Sequence, residues 1–206
     1  MLITQSGFRM FSEYDLGGNL DVFGVAMRKE IESDSSAADQ DENGYVAARI
    51  KKHFVNPLKL HTDKITVTQQ EVEISAENFP SGFMTRHHES YPKNVFTFHL
   101  PFEGNVDLLR CRPSSFMMWS EEIAISSDNE IEFEVIDFSN DVEKIKKERD
   151  GFISNLEKQI SNINNQINVY NTDLENNIRE SMKRAKEKFK TRADILSQLG
   201  NPPKNG

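Results

Sequence analysis

The chain has 206 residues, 36% hydrophobic and 28% charged, with a formal net charge of −8. This length can bury one good core and a smaller appendage. No apolar run approaches the roughly 20 residues that a membrane-spanning helix needs, and the first residues do not read as a secretory signal. The single cysteine, Cys111, excludes an internal disulfide framework, so we expect a cytoplasmic protein with no membrane partner.

The charge is unevenly distributed along the chain. Residues 141–206 carry 13 Lys/Arg and 10 Asp/Glu, which leaves 12 basic and 23 acidic residues of the totals in 1–140. An acidic surface repels phosphates, so the first part of the chain is not expected to bind nucleic acid.

Strand patterns dominate residues 1–138. The segments "KITVTQQEVEIS" (64–75), "NVFTFHLPF" (94–102) and "EIEFEVIDF" (130–138) alternate apolar and polar residues, as half-buried strands do. The polar residues 127–129 lie between the short alternating run at 121–126 and the strand predicted at 130–138, and they predict a hairpin turn. The expected structure is an antiparallel, acidic, β-rich body, either a sandwich or barrel-like.

Three segments of this body differ from the strand pattern. The glycine-rich "DLGGNLDVFG" (15–24) lacks a phosphate-binding fingerprint and is interpreted as a turn. The segment "SDSSAADQDENG" (33–44) is small, acidic and polar, which is typical of a surface loop. In "YVAARIKKHF" (45–54) apolar residues recur at helical spacing and predict a short helix.

Residues 139–199 change to a helical pattern. Asn140 followed by Glu143 predicts a capping box at the helix start. Apolar residues then recur every three, four or seven positions, which indicates a single apolar stripe on a long helix. We call this stripe the seam; it comprises Ile145, Phe152, Leu156, Ile160, Ile163, Ile167, Tyr170, Leu174 and Ile178.

A break in the helical region is predicted near 170–172. Thr172 and Glu175 form a second capping-box pattern, and asparagines, which favour caps over helix interiors, are dense just before it. One helix with a stutter also fits, but a helical pair or coiled coil is favoured. The second helix should end at Gly200, which leaves 200–206 as a linker-like tail.

The seam needs a partner surface, because a lone surface helix cannot satisfy an apolar stripe. The two interpretations are self-association into a homodimer or higher oligomer, and packing onto the sheet of the same chain. A basic face also follows the seam. The face comprises Arg179, Lys183, Lys186 and Lys190, and a solvated face with glutamate partners is favoured over a nucleic-acid-binding helix.

Candidates for chemistry are weak. His87 and His88 are adjacent in "MTRHHESYP" (84–92), but neighbouring residues on a strand point apart and the spacing matches no metal motif. Cys111 between two arginines is interpreted as an inert core residue rather than a nucleophile. No catalytic, cofactor-binding or metal-binding residue is therefore predicted, and a small metal-dependent hydrolase using His87 or His88 remains an alternative.

Two segments carry a resemblance. "FTFHLPFEGNVDLLRCRPSSF" (96–116) and "INVYNTDLENNIRESMKRAKEKFKTRADILSQLGNPP" (167–203) look like the N-terminal, non-effector half of uncharacterised bacterial multidomain proteins of stress or anti-phage defence type. The short matches that carry it are Pro101-Phe102 with Gly104, Arg112-Pro113-Ser114, Asn171 with Leu174, and Leu199-Gly200 with Pro202. The resemblance implies a sensor or scaffold part of a larger protein and assigns no functional residue.

These patterns together predict an α+β protein that acts as a non-catalytic recognition and oligomerisation module. The β-rich body would recognise a ligand, for which a protein is one candidate, and the helices would mediate self-association. No cofactor is expected. A nucleic-acid-binding adaptor that uses the basic face is the main alternative.

Overall fold

The structure, a computed structural model, describes residues 2, 7–38, 41–115 and 117–200. Three α-helices and eight strands are assigned within these residues. The helices are α1 (Leu16–Ser33), α2 (Glu42–His53) and α3 (Val142–Gln198). The strands are β1 (Phe8–Arg9), β2 (Tyr14–Asp15), β3 (Lys59–Leu60), β4 (Thr66–Ser75), β5 (Ser90–Glu103), β6 (Cys111–Arg112), β7 (Glu122–Ile125) and β8 (Glu130–Asp137).

The main sheet is antiparallel and open. Its strand order is β1-β7-β8-β5-β3. Strand β4 also pairs with β5, at residues 90–99, whereas β3 pairs with β5 at residues 102–103. The sandwich or barrel-like body predicted from the sequence is therefore wrong: in the described residues there is one open sheet, with a small parallel pair of β2 and β6 beside it. The coarser prediction of an α+β fold is confirmed.

The alternating segments form the central strands. In β8 every second residue is buried, because Ile131, Phe133 and Val135 share one face while the intervening glutamates share the other. The predicted turn at 127–129 is confirmed, since the amide of Ser126 donates to Glu130 O at 3.0 Å and Asn129 adopts φ 59°. The central pair β5–β8 runs in register from Asn94–Asp137 to Pro101–Glu130.

Two helices, α1 and α2, lie between β2 and β3 in the chain. The helix predicted at 45–54 is confirmed as α2, which begins at an Asp41 cap whose carboxylate accepts from Gly44 N. The interpretation of 15–24 as a turn is wrong, because this segment begins α1. Leu20, Met27 and Ile31 are buried in that helix at helical spacing, so packing outweighs the low helix propensity of its glycines.

The C-terminal region is one helix of 57 residues, so the predicted break near 170–172 and the helical pair are wrong. Thr172 does not cap a helix; its hydroxyl donates to Asn168 O, four residues earlier, within the helix. The cap at the start is Asp141 rather than Asn140, since Asp141 Oδ1 accepts from Glu143 N at 3.0 Å. Gly200 follows the end of the helix with φ 67°, as predicted, and the rest of the linker-like tail, 201–206, lies outside the described residues.

Two asparagines explain why the helix continues. Asn164 forms two hydrogen bonds with the backbone of Leu58, donating to its carbonyl at 2.7 Å and accepting from its amide at 2.9 Å. Asn171 does the same with Val55, at 2.8 and 3.1 Å. The asparagines therefore bind extended backbone beside the helix instead of turning their own, and the helix is not interrupted.

The chain divides into two compact units. The first unit comprises 1–16 and 57–164 and contains the main sheet with the first part of α3. Its core includes a line of aromatic rings: Phe133 stacks on Phe152 of α3 at 3.8 Å between centroids, and Trp119 lies edge-on to Phe152 at 5.4 Å. The sheet thereby buries one face against the helix.

The second unit comprises 17–56 and 165–206 and is helical. Its core is formed by α1, α2 and the later part of α3; the buried residues are Met27, Ile31, Tyr45, Val46, Leu174, Ile178, Met182 and Ala185. Arg49 of α2 forms ion pairs with Glu30 and Asp34, and Tyr45 donates to Asp34 at 3.0 Å. None of the described helices is long and apolar enough to span a bilayer.

Candidate functional site

The seam lies largely inside the chain. Six of its nine residues are less than 9% exposed, and the other three are partly buried. The fully covered residues are Leu156, Ile160, Ile163, Ile167, Leu174 and Ile178. Because this stripe is already covered by the same chain, it offers no continuous apolar surface to a second copy.

The basic face is partly neutralised within the second unit. Arg179 pairs with Glu175 at 2.8 Å and with Glu42 at 3.3 Å, and Lys186 pairs with Glu42 at 2.9 Å. These carboxylates reduce the positive charge that the basic face offers to an anionic partner. The pKa of Arg179 is raised, mainly by its hydrogen bond to Glu175. Lys183 and Lys190 are exposed without an ion pair among the described residues.

The histidines and the cysteine singled out from the sequence are dispersed. His87 and His88 are exposed, and His88 has φ 66° and lies 3.8 Å from Glu77. Cys111 is buried, and its thiol donates to the carbonyl of Asp107 at 3.3 Å. In the described part of the chain, neither histidine belongs to a group of three side chains that could hold a metal ion.

The outward side of α1 presents apolar side chains to solvent. Val22 and Val25 are 64% and 40% exposed; Phe23, about 100° round the helix from Val22, is 54% exposed. Gly18, Val22, Val25 and Lys29 follow one another at steps of four, three and four, so they share one exposed face, which we call the outer stripe. Sequence reasoning misses this surface because it interprets the segment as a turn.

Opposite charges lie near the two ends of the outer stripe. Asp21 lies toward the N-terminal end of α1 and Lys29 toward its C-terminal end, and both are exposed. Neither side chain forms an ion pair with another described residue. The outer stripe is therefore apolar in the middle, with Lys29 at its C-terminal end and Asp21 beside its N-terminal half.

A groove borders this surface within the second unit. It has a volume of about 270 Å³ and lies between α1 and α3, with Gly24, Arg28 and Tyr170 among its lining residues. The Tyr170 hydroxyl is buried without a hydrogen-bond partner among the described residues. Burial raises the pKa of Tyr170, with a smaller opposing effect of Arg28, so the phenol stays neutral and can donate a hydrogen bond.

A second candidate, in the first unit, is a cluster of metal-ligating side chains. His99 of β5 lies directly opposite Glu132 of β8, and Glu130 lies two residues away on the same face of the sheet. His99 Nδ1 is 3.0 Å from Glu132 Oε1 and 3.8 Å from Glu130 Oε2. The three ligand atoms lie within 4.8 Å of one another, the one such group of three in the described part of the chain.

A hydroxyl group contacts the other side of the imidazole. Thr68 Oγ1 of β4 lies 3.0 Å from His99 Nε2, so the histidine has a polar partner on each ring nitrogen. All three ligand side chains are only 13–26% exposed. The residue spacing does not reveal this cluster, because strand pairing across more than 30 residues brings His99 to the two glutamates.

No family model, curated protein or solved structure matches this chain. The residues themselves are therefore the basis for a functional proposal.

Proposed function

We propose that this chain is a non-catalytic recognition and assembly module that self-associates through the outer stripe of α1. The observation that supports the proposal is the exposure of Val22 and Val25 on one face of α1. Apolar groups left together in water on a folded protein often mark an interaction surface. The seam, by contrast, is covered by its own chain and leaves this role to a different surface.

The partner that best fits the outer stripe is a second copy of the same helix. An antiparallel arrangement about a two-fold axis places Val22 of each copy against Val25 of the other. It also brings Lys29 of each copy toward Gly18 and Asp21 of the other, where the missing glycine side chain leaves room for the lysine. The charge pattern of the stripe is therefore complementary to itself.

The contact should be weak. A single helix face buries less than the roughly 1,200 Å² at the lower end of stable interfaces, so we expect dissociation in the micromolar range. The resemblance to non-effector halves of bacterial defence proteins supports an assembly role, and we propose that the module belongs to a larger protein of that kind.

Light scattering over protein concentrations from about 1 to about 200 μM tests the proposal, since weak dimers form in this range. The wild-type mass should rise above the 23.7 kDa of one chain toward twice that value. Val22→Asp places a carboxylate in the middle of the stripe and should keep the mass at one chain. Val22 is 64% exposed, so the substitution should leave the fold intact.

Val67→Asp is the matched control. Val67 lies on β4, which among the described strands has a partner on one side only, and it is 51% exposed. This variant should self-associate like the wild type. A mass of one chain for the wild type at every concentration would reject self-association, and loss of the dimer in Val67→Asp alone would place the interface on the edge of the sheet.

A further inference from the structure

We propose that His99, Glu130 and Glu132 form a binding site for a single zinc ion on the polar face of the main sheet. Histidine nitrogen and glutamate oxygen are both zinc ligands, and three protein ligands with one water is the usual arrangement of an open zinc site. The imidazole favours zinc over magnesium and calcium, which prefer oxygen ligands alone.

The separations between the ligand atoms fit a tetrahedral ion. With metal–ligand bonds of about 2.1 Å, two ligands of a tetrahedral zinc ion lie about 3.4 Å apart. The two distances from His99 Nδ1, 3.0 and 3.8 Å, lie on either side of that value. The two carboxylate oxygens lie within 4.8 Å of each other, so the glutamate side chains would rotate toward each other to bind the same ion.

The strands hold the ligands in place. His99 and Glu132 are cross-strand partners in the centre of the sheet, where backbone pairing fixes their relative position. Glu130 projects from the same face two residues along β8. Thr68 Oγ1 would accept a hydrogen bond from His99 Nε2–H and leave the lone pair of Nδ1 for the metal, which is the usual role of a group that orients a ligating histidine.

The two carboxylates supply the negative charge that a divalent cation needs. Both carboxylates lie within 3.8 Å of the same imidazole nitrogen, so a single divalent cation could contact all three side chains. The first unit carries this cluster and the second unit carries the outer stripe, so the zinc site and the proposed self-association can fail separately.

Titration of the whole chain with zinc chloride by calorimetry tests the site. The wild type should bind one zinc ion per chain with a saturable isotherm. His99→Ala and Glu132→Gln should each weaken binding by at least about 100-fold, and Thr68→Val should weaken it by about tenfold because only the orientation of the imidazole changes. Glu132→Gln keeps the shape of the side chain and serves if His99→Ala does not fold.

His61→Ala is the matched control. His61 is in the same unit and contacts one carboxylate, Glu103, at 2.7 Å, with no second acidic ligand among the described residues. Its removal should leave zinc affinity within about twofold of the wild type. Absence of a saturable site in the wild type, or wild-type affinity in both His99→Ala and Glu132→Gln, would overturn the proposal.

Discussion

Replacing Asn164 by alanine should destabilise the first unit through the loss of two hydrogen bonds. The side-chain amide donates to Leu58 O at 2.7 Å and accepts from Leu58 N at 2.9 Å, and Leu58 is buried. Each bond contributes about 1 kcal/mol net, which gives a loss of about 2 kcal/mol. Alanine favours a helix by about 0.5 kcal/mol more than asparagine, so the net decrease should be about 1.5 kcal/mol.

Asn165→Ala is the control for this prediction. Asn165 is the next residue of α3, is exposed, and forms no side-chain hydrogen bond to another described residue. The same change of residue type there should raise the free energy of unfolding by a few tenths of a kcal/mol. The difference between the two variants therefore isolates the bonds to Leu58, at about 2 kcal/mol.

Urea unfolding is the assay, followed by the fluorescence of Trp119, the one tryptophan, which lies in the same unit as Asn164, and by circular dichroism of the helices, which also reports on the unit of Asn165. If the free energy of unfolding falls with urea at the same slope in both variants, the difference between their unfolding midpoints gives the difference in stability directly. If Asn164→Ala were as stable as Asn165→Ala, the asparagine would not hold the backbone at Leu58. Its bonds to Leu58 would then not be the reason that the helix continues unbroken.

Two further predictions concern backbone strain and pH. Gly104→Ala should lower the melting temperature more than Gly82→Ala. Both glycines have positive φ, so alanine strains the backbone at either position. At Gly104 the added Cβ would also lie 3.0 Å from Leu58 Cδ2, whereas at Gly82 no atom lies within 4 Å. The hydrogen bond from the Ser36 hydroxyl lowers the pKa of Asp34 in the folded protein. The ionised Asp34 therefore contributes its full stabilisation above about pH 4, and this stabilisation is lost as the pH falls through the lowered pKa. The melting temperature should therefore fall more steeply below about pH 4 in the wild type than in Asp34→Asn, and equal slopes would contradict this.

The sequence predicts those parts of the fold in which one face of an element is buried. The alternation in 130–138 and the helical spacing in 45–54 each report a single buried face, and both elements are confirmed. The sequence does not reveal α1, because its glycines lower helix propensity, while the packing of Leu20 and Met27 that offsets this depends on distant residues.

The predicted helix break is wrong for a similar reason. Local capping patterns around Thr172 compete with hydrogen bonds that the sequence does not reveal, from Asn164 to Leu58 and from Asn171 to Val55. These contacts join positions more than 100 residues apart. A separation of more than 30 residues likewise conceals the histidine–glutamate cluster, whose members meet only when strands pair.

The most direct test of the proposed assembly is a charge-reversal cycle measured by sedimentation equilibrium. In either single variant, Asp21→Lys or Lys29→Asp, residues 21 and 29 carry charges of the same sign, so both symmetry-related contacts become repulsive. The dimer dissociation constant should then rise about tenfold. The double variant restores opposite charges and should return the constant to within about twofold of the wild type. If both single variants dimerised like the wild type, or the double variant did not recover, the two α1 helices would not meet in an antiparallel pair.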